Sequence, residues 1–227
     1  MKPFVWAHAL MQFYQSLRPP MRLPHGIEWL YPQQHAPVQA VMQTFFDRFF
    51  NDAVPRRLIL GINPGRFGAG ATGINFTATK QLRQNCGIET ALPQQSELSA
   101  EFIYQMIDAY GGASAFYQDF FIGAVCPLGF VQGGKNINYY DDKNLLAQVT
   151  PFVINNINRL LQLPFDRSTV FCVGGEKNYK HLLRWNGEHH WFDAVVPLPH
   201  PRFVMQYRRR FVPDYIQQYL QAFGAAK

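Results

Sequence analysis

The sequence predicts an α/β fold: one domain of three α/β/α layers around a central, mostly parallel four-stranded sheet. Three observations carry this expectation. Four short apolar runs, "RLILGIN" (57–63), "FFIGAVCPL" (120–128), "STVFCVGG" (168–175) and "DAVVPLPHP" (193–201), lack the strict alternation of a strand with one wet face. Each runs into glycine or proline, which punctuates it. Segments of helical period separate them, at 100–110, 143–162 and 176–185, with a last one near 212–223.

The N-terminal third reads as helical, a segment 1–55 packed on the rest. Within it Val38, Val41, Met42, Phe45, Phe46 and Phe49 recur at three-and-four spacing, which places them on one face of a helix ending near Asn51. The opening "MKPFVWAHALMQFYQ" carries His8 and Gln12 in its apolar stretch and no small-residue cleavage site, so it does not read as a signal peptide. The four strands then deliver the loops "NPGRFGAG", "CPLGFVQGGKN", "GGEKNYK" and "PHPRF" to one edge of the sheet. Ligands of open α/β sheets bind at that edge.

Composition bounds the partners. With 48% hydrophobic and 15% aromatic residues among 227, the chain buries one large core, and no repeat, linker or low-complexity tract divides residues 1–227. Lysine and arginine outnumber aspartate and glutamate 21 to 15, a net +6 that suits a polyanionic partner without requiring one. Cys86, Cys126 and Cys172 are odd in number and widely spaced, and read as buried reduced thiols. No metal or cofactor is expected. No apolar run approaches the ~20 residues of a membrane span, so a soluble, cytoplasmic monomer is the expectation.

Two loops hold the chemistry. In "GINPGRFGAGATGINF", Gly61, Gly65, Gly68 and Gly70 permit positive φ and close approach of the backbone to a ligand. The loop forms neither a P-loop nor a dinucleotide fingerprint, and it presents one amide, Asn63, where no carboxylate, serine or lysine stands. In "LPHPRFVMQYRRRF", His200 is wedged between two prolines, and Arg202, Arg208, Arg209 and Arg210 are interleaved with Phe203, Met205 and Tyr207. Arginines among stacking groups suit a surface that grips phosphates and enters a base stack. The arginine run equally suits a solvated start to the last helix.

Together these loops resemble the uracil-DNA glycosylase superfamily, and within it the single-strand-selective monofunctional branch. Gly61, Asn63, Pro64, Gly65, Phe67, Gly68, Thr72, Gly73 and Phe76 match its first motif without a gap, with Arg66 replacing a proline. "AVCPL" (124–128) matches the end of the middle motif, but Ala124 stands where the family places its uracil-reading asparagine. The late motif admits two registers. Aligning His200-Pro201 with the family's His-Pro brings Tyr207-Arg208 into line and keeps an imidazole; aligning Pro201-Arg202 leaves Leu198 at the histidine position.

The resemblance implies hydrolysis of an N-glycosidic bond in DNA. Asn63 would orient the water, and His200 would donate to a carbonyl oxygen of the departing base. Phe76 would stack on the flipped base beside Ile62 and Gly65. Backbone near Val125 and Cys126, or Asn136 and Asn138, would stand in for the missing asparagine and relax selectivity from uracil toward xanthine and hypoxanthine. Phe203 or Met205 would fill the gap in the stack, Arg202, Arg208 and Arg209 would hold phosphates, and Lys135 and Lys177 the flanking strand. Two alternatives remain open at this stage. One is a module that binds damaged or single-stranded DNA without cutting; the other is a phosphoester-processing enzyme using the glycine loop as an anion nest.

Overall fold

The structure, a computed structural model, describes residues 4–224, so the outermost residues of the expected 1–227 domain lie outside the described residues. Helix α1 (Trp6–Gln15) leads to strand β1 (Ile27–Leu30) and helix α2 (Ala36–Phe49), whose buried face is Val38, Val41, Met42, Phe45 and Phe46. Strand β2 (Arg56–Gly61) ends at the glycine loop, which contains the single turn α3 (Ala69–Thr72). Helices α4 (Thr79–Gln84), α5 (Leu98–Tyr110) and α6 (Ala113–Asp119) precede strand β3 (Phe120–Ala124). A hairpin of β4 (Gly129–Gln132) and β5 (Lys135–Ile137) follows, then α7 (Lys143–Leu160), β6 (Phe165–Val173), α8 (Gly175–His189), β7 (Ala194–Leu198), α9 (Pro201–Tyr207) and α10 (Val212–Ala222).

The main sheet has the order β3-β2-β6-β7, and every pairing in it is parallel. Its strands are the four apolar runs. All of β3 is buried, as is Leu58 to Gly61 of β2, because helices cover both faces. The register is what aligns the loops: Gly61 lies opposite Ala124, and Val173 opposite Leu198. The chain leaves β2 toward β3 on one side and β6 toward β7 on the other. Between the ends of β2 and β6 lies the switch point where such sheets take ligands.

One expectation needs correcting. The N-terminal third is not all helical, since β1 pairs antiparallel with β4, and β4 with β5, in a second three-stranded sheet. "CPLGFVQGGKN" is therefore largely a hairpin. Gly133 and Gly134, both at positive φ, make its turn, as a tight two-residue connection requires.

A contiguous apolar cluster runs from Trp6 to Phe223 and takes in α1 and α2. Cys86, Cys126 and Cys172 are buried and unpaired within it, and burial pushes the Cys126 thiol up to about 12. No helix among the described residues is long and apolar enough to cross a membrane.

Candidate active site

Beyond the carboxyl ends of β2, β3 and β6 opens a cavity of about 400 Å³ lined by Ile62, Asn63, Gly65, Phe76, Ala124, Asn136, Gly174 and His200, among others. That volume lies in the range of small-molecule sites. The strand ends explain its walls: Asn63 stands two residues past Gly61, and His200 two past Leu198.

The Asn63 amide is fixed at both ends. Its Nδ2 donates to the Ile137 carbonyl at 3.2 Å, while its Oδ1 accepts from the Tyr139 N–H at 3.0 Å. Since a backbone carbonyl can only accept and an N–H only donate, this pairing also assigns which end is oxygen. Tyr139 is itself anchored, because its buried hydroxyl donates to Asn178 Oδ1 at 2.9 Å. The second Oδ1 lone pair remains for a ligand.

His200 caps α9. Its Nδ1 accepts from the Arg202 N–H at 3.1 Å, which leaves the proton of the neutral ring on Nε2. Burial, aided by the Arg202 charge, pushes the imidazole down to about 4. The group is a neutral hydrogen-bond donor at physiological pH. Leu198, the alternative at this motif position, is instead buried as the last residue of β7.

Phe76 lies across the end of β2, 6.4 Å from the His200 ring. A Cβ on Gly61 would come within 2.9 Å of the Phe76 ring, so only glycine admits this placement. Phe76 holds a φ of 51°, a left-handed conformation costly for an aromatic residue and typical of ligand sites. By contrast Gly61, Gly65, Gly68 and Gly70 are absent from the positive-φ residues; their use is close approach alone. At Gly65 the neighbour is Asn136, whose Oδ1 accepts from the Arg66 N–H at 3.1 Å.

Several expected residues fall elsewhere. Val125 and Cys126 are fully buried, and their N–H groups donate to Gly61 and Ile62 carbonyls at 2.9 and 3.0 Å, so neither faces the cavity. Met205 is 4% exposed and packs in the core, which excludes it as an inserted group. On the same short helix Phe203 and Tyr207 are exposed, with ring centroids 5.8 Å apart, and the Arg208 guanidinium sits 5.9 Å from the Phe203 ring. Arg202 and Phe203 line the cavity, while Arg208, Arg209, Lys135 and Lys177 are exposed outside it.

Sequence reasoning missed one carboxylate in the cavity wall. Glu97 precedes α5, and its Oε2 stands 2.6 Å from where a Gly68 Cβ would be. Burial raises its carboxyl above the usual range, against the opposing pull of Ser99 and the Arg202 charge. No motif flags it, because the segment before α5 is connected to the site only through space. Tyr139 and Asn178 were missed for the same reason.

The family model described as the uracil DNA glycosylase superfamily matches residues 48–224. Solved structures that match include the crystal structure of wild-type Pedobacter heparinus SMUG2, at 41% identity over 98% of each chain with a TM-score of 0.94. A search of curated proteins finds no match.

Proposed function

Because the chain belongs to the uracil-DNA glycosylase superfamily, we propose that it is a monofunctional glycosylase releasing deaminated bases from DNA: uracil, with xanthine and hypoxanthine. Residues 1–227 would act as one domain and as a monomer. The observation that carries the reading is the pairing of a clamped Asn63 amide with a neutral His200 donor in one cavity.

In the reaction a water oxygen bonds to C1′ of the sugar as the C1′–N bond breaks. The bond's electron pair leaves on the base, and the water loses a proton to solvent. The transition state carries positive charge on the sugar and negative charge on the base. Asn63 cannot take a proton, but its free Oδ1 lone pair aims the water. The His200 Nε2–H donates to the base carbonyl on which charge collects, and a neutral imidazole does so without being a strong acid. Fixed donors in a site shielded from water are worth more than the same groups in solution.

Phe76 offers the flat face on which an extruded base stacks, and Ile62 and Gly65 border it. The short side chain of Ala124 leaves room there for a purine. Arg202, Arg208 and Arg209 would hold phosphates, with Lys135 and Lys177 further out. Phe203 and Tyr207, exposed beside the cavity mouth, suit the gap left by the extruded nucleotide. Among the described residues no lysine lines the cavity, which supports direct hydrolysis over Schiff-base chemistry.

The test uses oligonucleotides containing uracil, xanthine or hypoxanthine, incubated with protein and then treated with alkali. Alkali-labile product from all three, lost in Asn63→Ala, is the expected outcome. Binding without product would replace the enzyme by a damage-binding module. Release of uracil alone at full efficiency would sink the relaxed pocket, and a borohydride-trapped covalent complex would sink the monofunctional mechanism.

A further inference from the structure

Ala124 removes the amide that the resembled family uses to read the base, yet the cavity wall holds another. Asn75 is 8% exposed and lines the same cavity as Ala124 and Phe76. Its Nδ2 donates to the Ile122 carbonyl at 3.3 Å and to the Tyr14 hydroxyl at 3.4 Å. Ile122 lies on β3 two residues before Ala124, so this amide is bound to the strand whose own asparagine is missing. The carbonyl bond fixes Nδ2 as the end turned toward β3. Among the described residues Oδ1 has no donor partner, and it is not one of the wholly buried unpaired atoms. The left-handed turn at Phe76 lets two consecutive side chains, Asn75 and Phe76, border the cavity together.

We infer that Asn75 replaces the missing reader and reads the base as an acceptor only. The inference rests on the glycosylase reading above. With both Nδ2 contacts spent on protein, only the Oδ1 lone pairs are left, and they require an N–H on the base. Deamination creates one: uracil carries N3–H where cytosine has a lone pair, and hypoxanthine carries N1–H where adenine has one. Cytosine and adenine would set lone pair against lone pair, so the site rejects the undamaged parents of uracil and hypoxanthine. Xanthine N1–H fits as well. Thymine and guanine also carry a ring N–H, so Asn75 does not reject them, and their exclusion falls to shape.

The test separates recognition from chemistry. Uncleavable oligonucleotides carrying 2′-fluoroarabino uracil or cytosine are titrated with wild type and Asn75→Ala, alongside a tetrahydrofuran abasic analogue. The wild type should prefer uracil by about tenfold, the value of one good hydrogen bond against a repulsive pair. Asn75→Ala should bring the two within about threefold and bind the abasic analogue unchanged. A variant that keeps the preference, or a wild type without one, overturns the inference. Because Asn75 also holds Ile122 and Tyr14, thermal melting checks the fold. If alanine does not fold, Asn75→Ser, which keeps a short hydroxyl, decides by the same comparison. Cleavage of an ordinary uracil oligonucleotide by wild type is scored in parallel. Its failure sinks the glycosylase reading, whereas product with an unchanged preference sinks only the role of Asn75.

Discussion

His200 shows how a residue's setting decides its chemistry. An imidazole pushed down to about 4 stays neutral as pH falls through 6.5, so single-turnover excision should hold level from pH 8 to about pH 5. His200→Asn, which still caps α9, should lower the rate constant by about 10²–10³, the usual effect of removing one charge-stabilising donor. An acid limb near 6.5 that disappears in this variant would contradict the neutral-donor assignment. The same shift has a stability sign. Between about 6.5 and about 4 the unfolded chain binds a proton that the folded one refuses, so stability falls as pH drops through that window. The Asn variant should lose that slope in urea titrations. Glu97 has the opposite sign: its raised carboxyl favours the fold only while protonated, and that contribution fades as pH rises past the ordinary carboxylate range. Glu97→Gln should therefore match wild type in melting temperature near pH 4 and exceed it at pH 7. Asn63 and His200 were visible in the sequence because each sits in a punctuated loop after an apolar strand. Glu97 and Asn75 were not marked out, since their meaning comes from neighbours 29 and 47 residues away, Gly68 and Ile122.

Among the elements, α9 has a division of labour along one short helix. Val204 and Met205 face the core while Phe203 and Tyr207 face out, so the helix both anchors itself and presents two rings at the cavity mouth. Phe203→Ala should reduce excision from duplex DNA by about tenfold, the worth of one lost stacking contact, and leave single-stranded substrate within about twofold. Equal losses on both substrates would argue against insertion. Met205→Ala should instead cost about 2–5 kcal/mol of stability, as deletion of a buried side chain does, with no duplex-specific effect. The sequence could not assign these two because alternating apolar and basic residues fit either role until the helix phase is known. The parallel strands were legible because a run buried on both faces is continuous. The β4–β5 hairpin was not, because its strands are three to four residues long and partly exposed, and β1 pairs with it across a hundred residues. That hairpin matters to the site, since Ile137 and the following Tyr139 hold Asn63.

At the scale of the whole molecule, one buried charge adds to the apolar contacts between the N-terminal helices and the sheet. Arg56 opens β2, is fully buried, and donates to the Phe49, Val54 and Tyr117 carbonyls at 3.2, 3.0 and 2.7 Å. Both its terminal nitrogens meet Asp52, each at 2.8 Å, and its guanidinium lies near the Trp6 and Phe50 rings. The end of α2, α6, α1 and the sheet thus share a single planar donor that lysine could not imitate. Its bonds to Asp52 hold that carboxyl below the usual range, so this stabilisation is present at neutral pH and is lost as pH falls through the lowered value. Asp52 is partly exposed and Arg56 is not, so the two halves of the pair should differ. Arg56→Ala takes the side-chain donor from the buried Tyr117 carbonyl and the Phe49 carbonyl, leaves Val54 with the Trp6 N–H alone, and opens a cavity, and should lower the unfolding free energy by about 3–5 kcal/mol. Asp52→Asn leaves the arginine bonded to all three carbonyls and should cost less. Urea unfolding of the two variants at pH 7 measures the difference. Equal costs would mean that the ion pair, rather than the carbonyl cluster, joins the N-terminal helices to the sheet that carries the active-site loops.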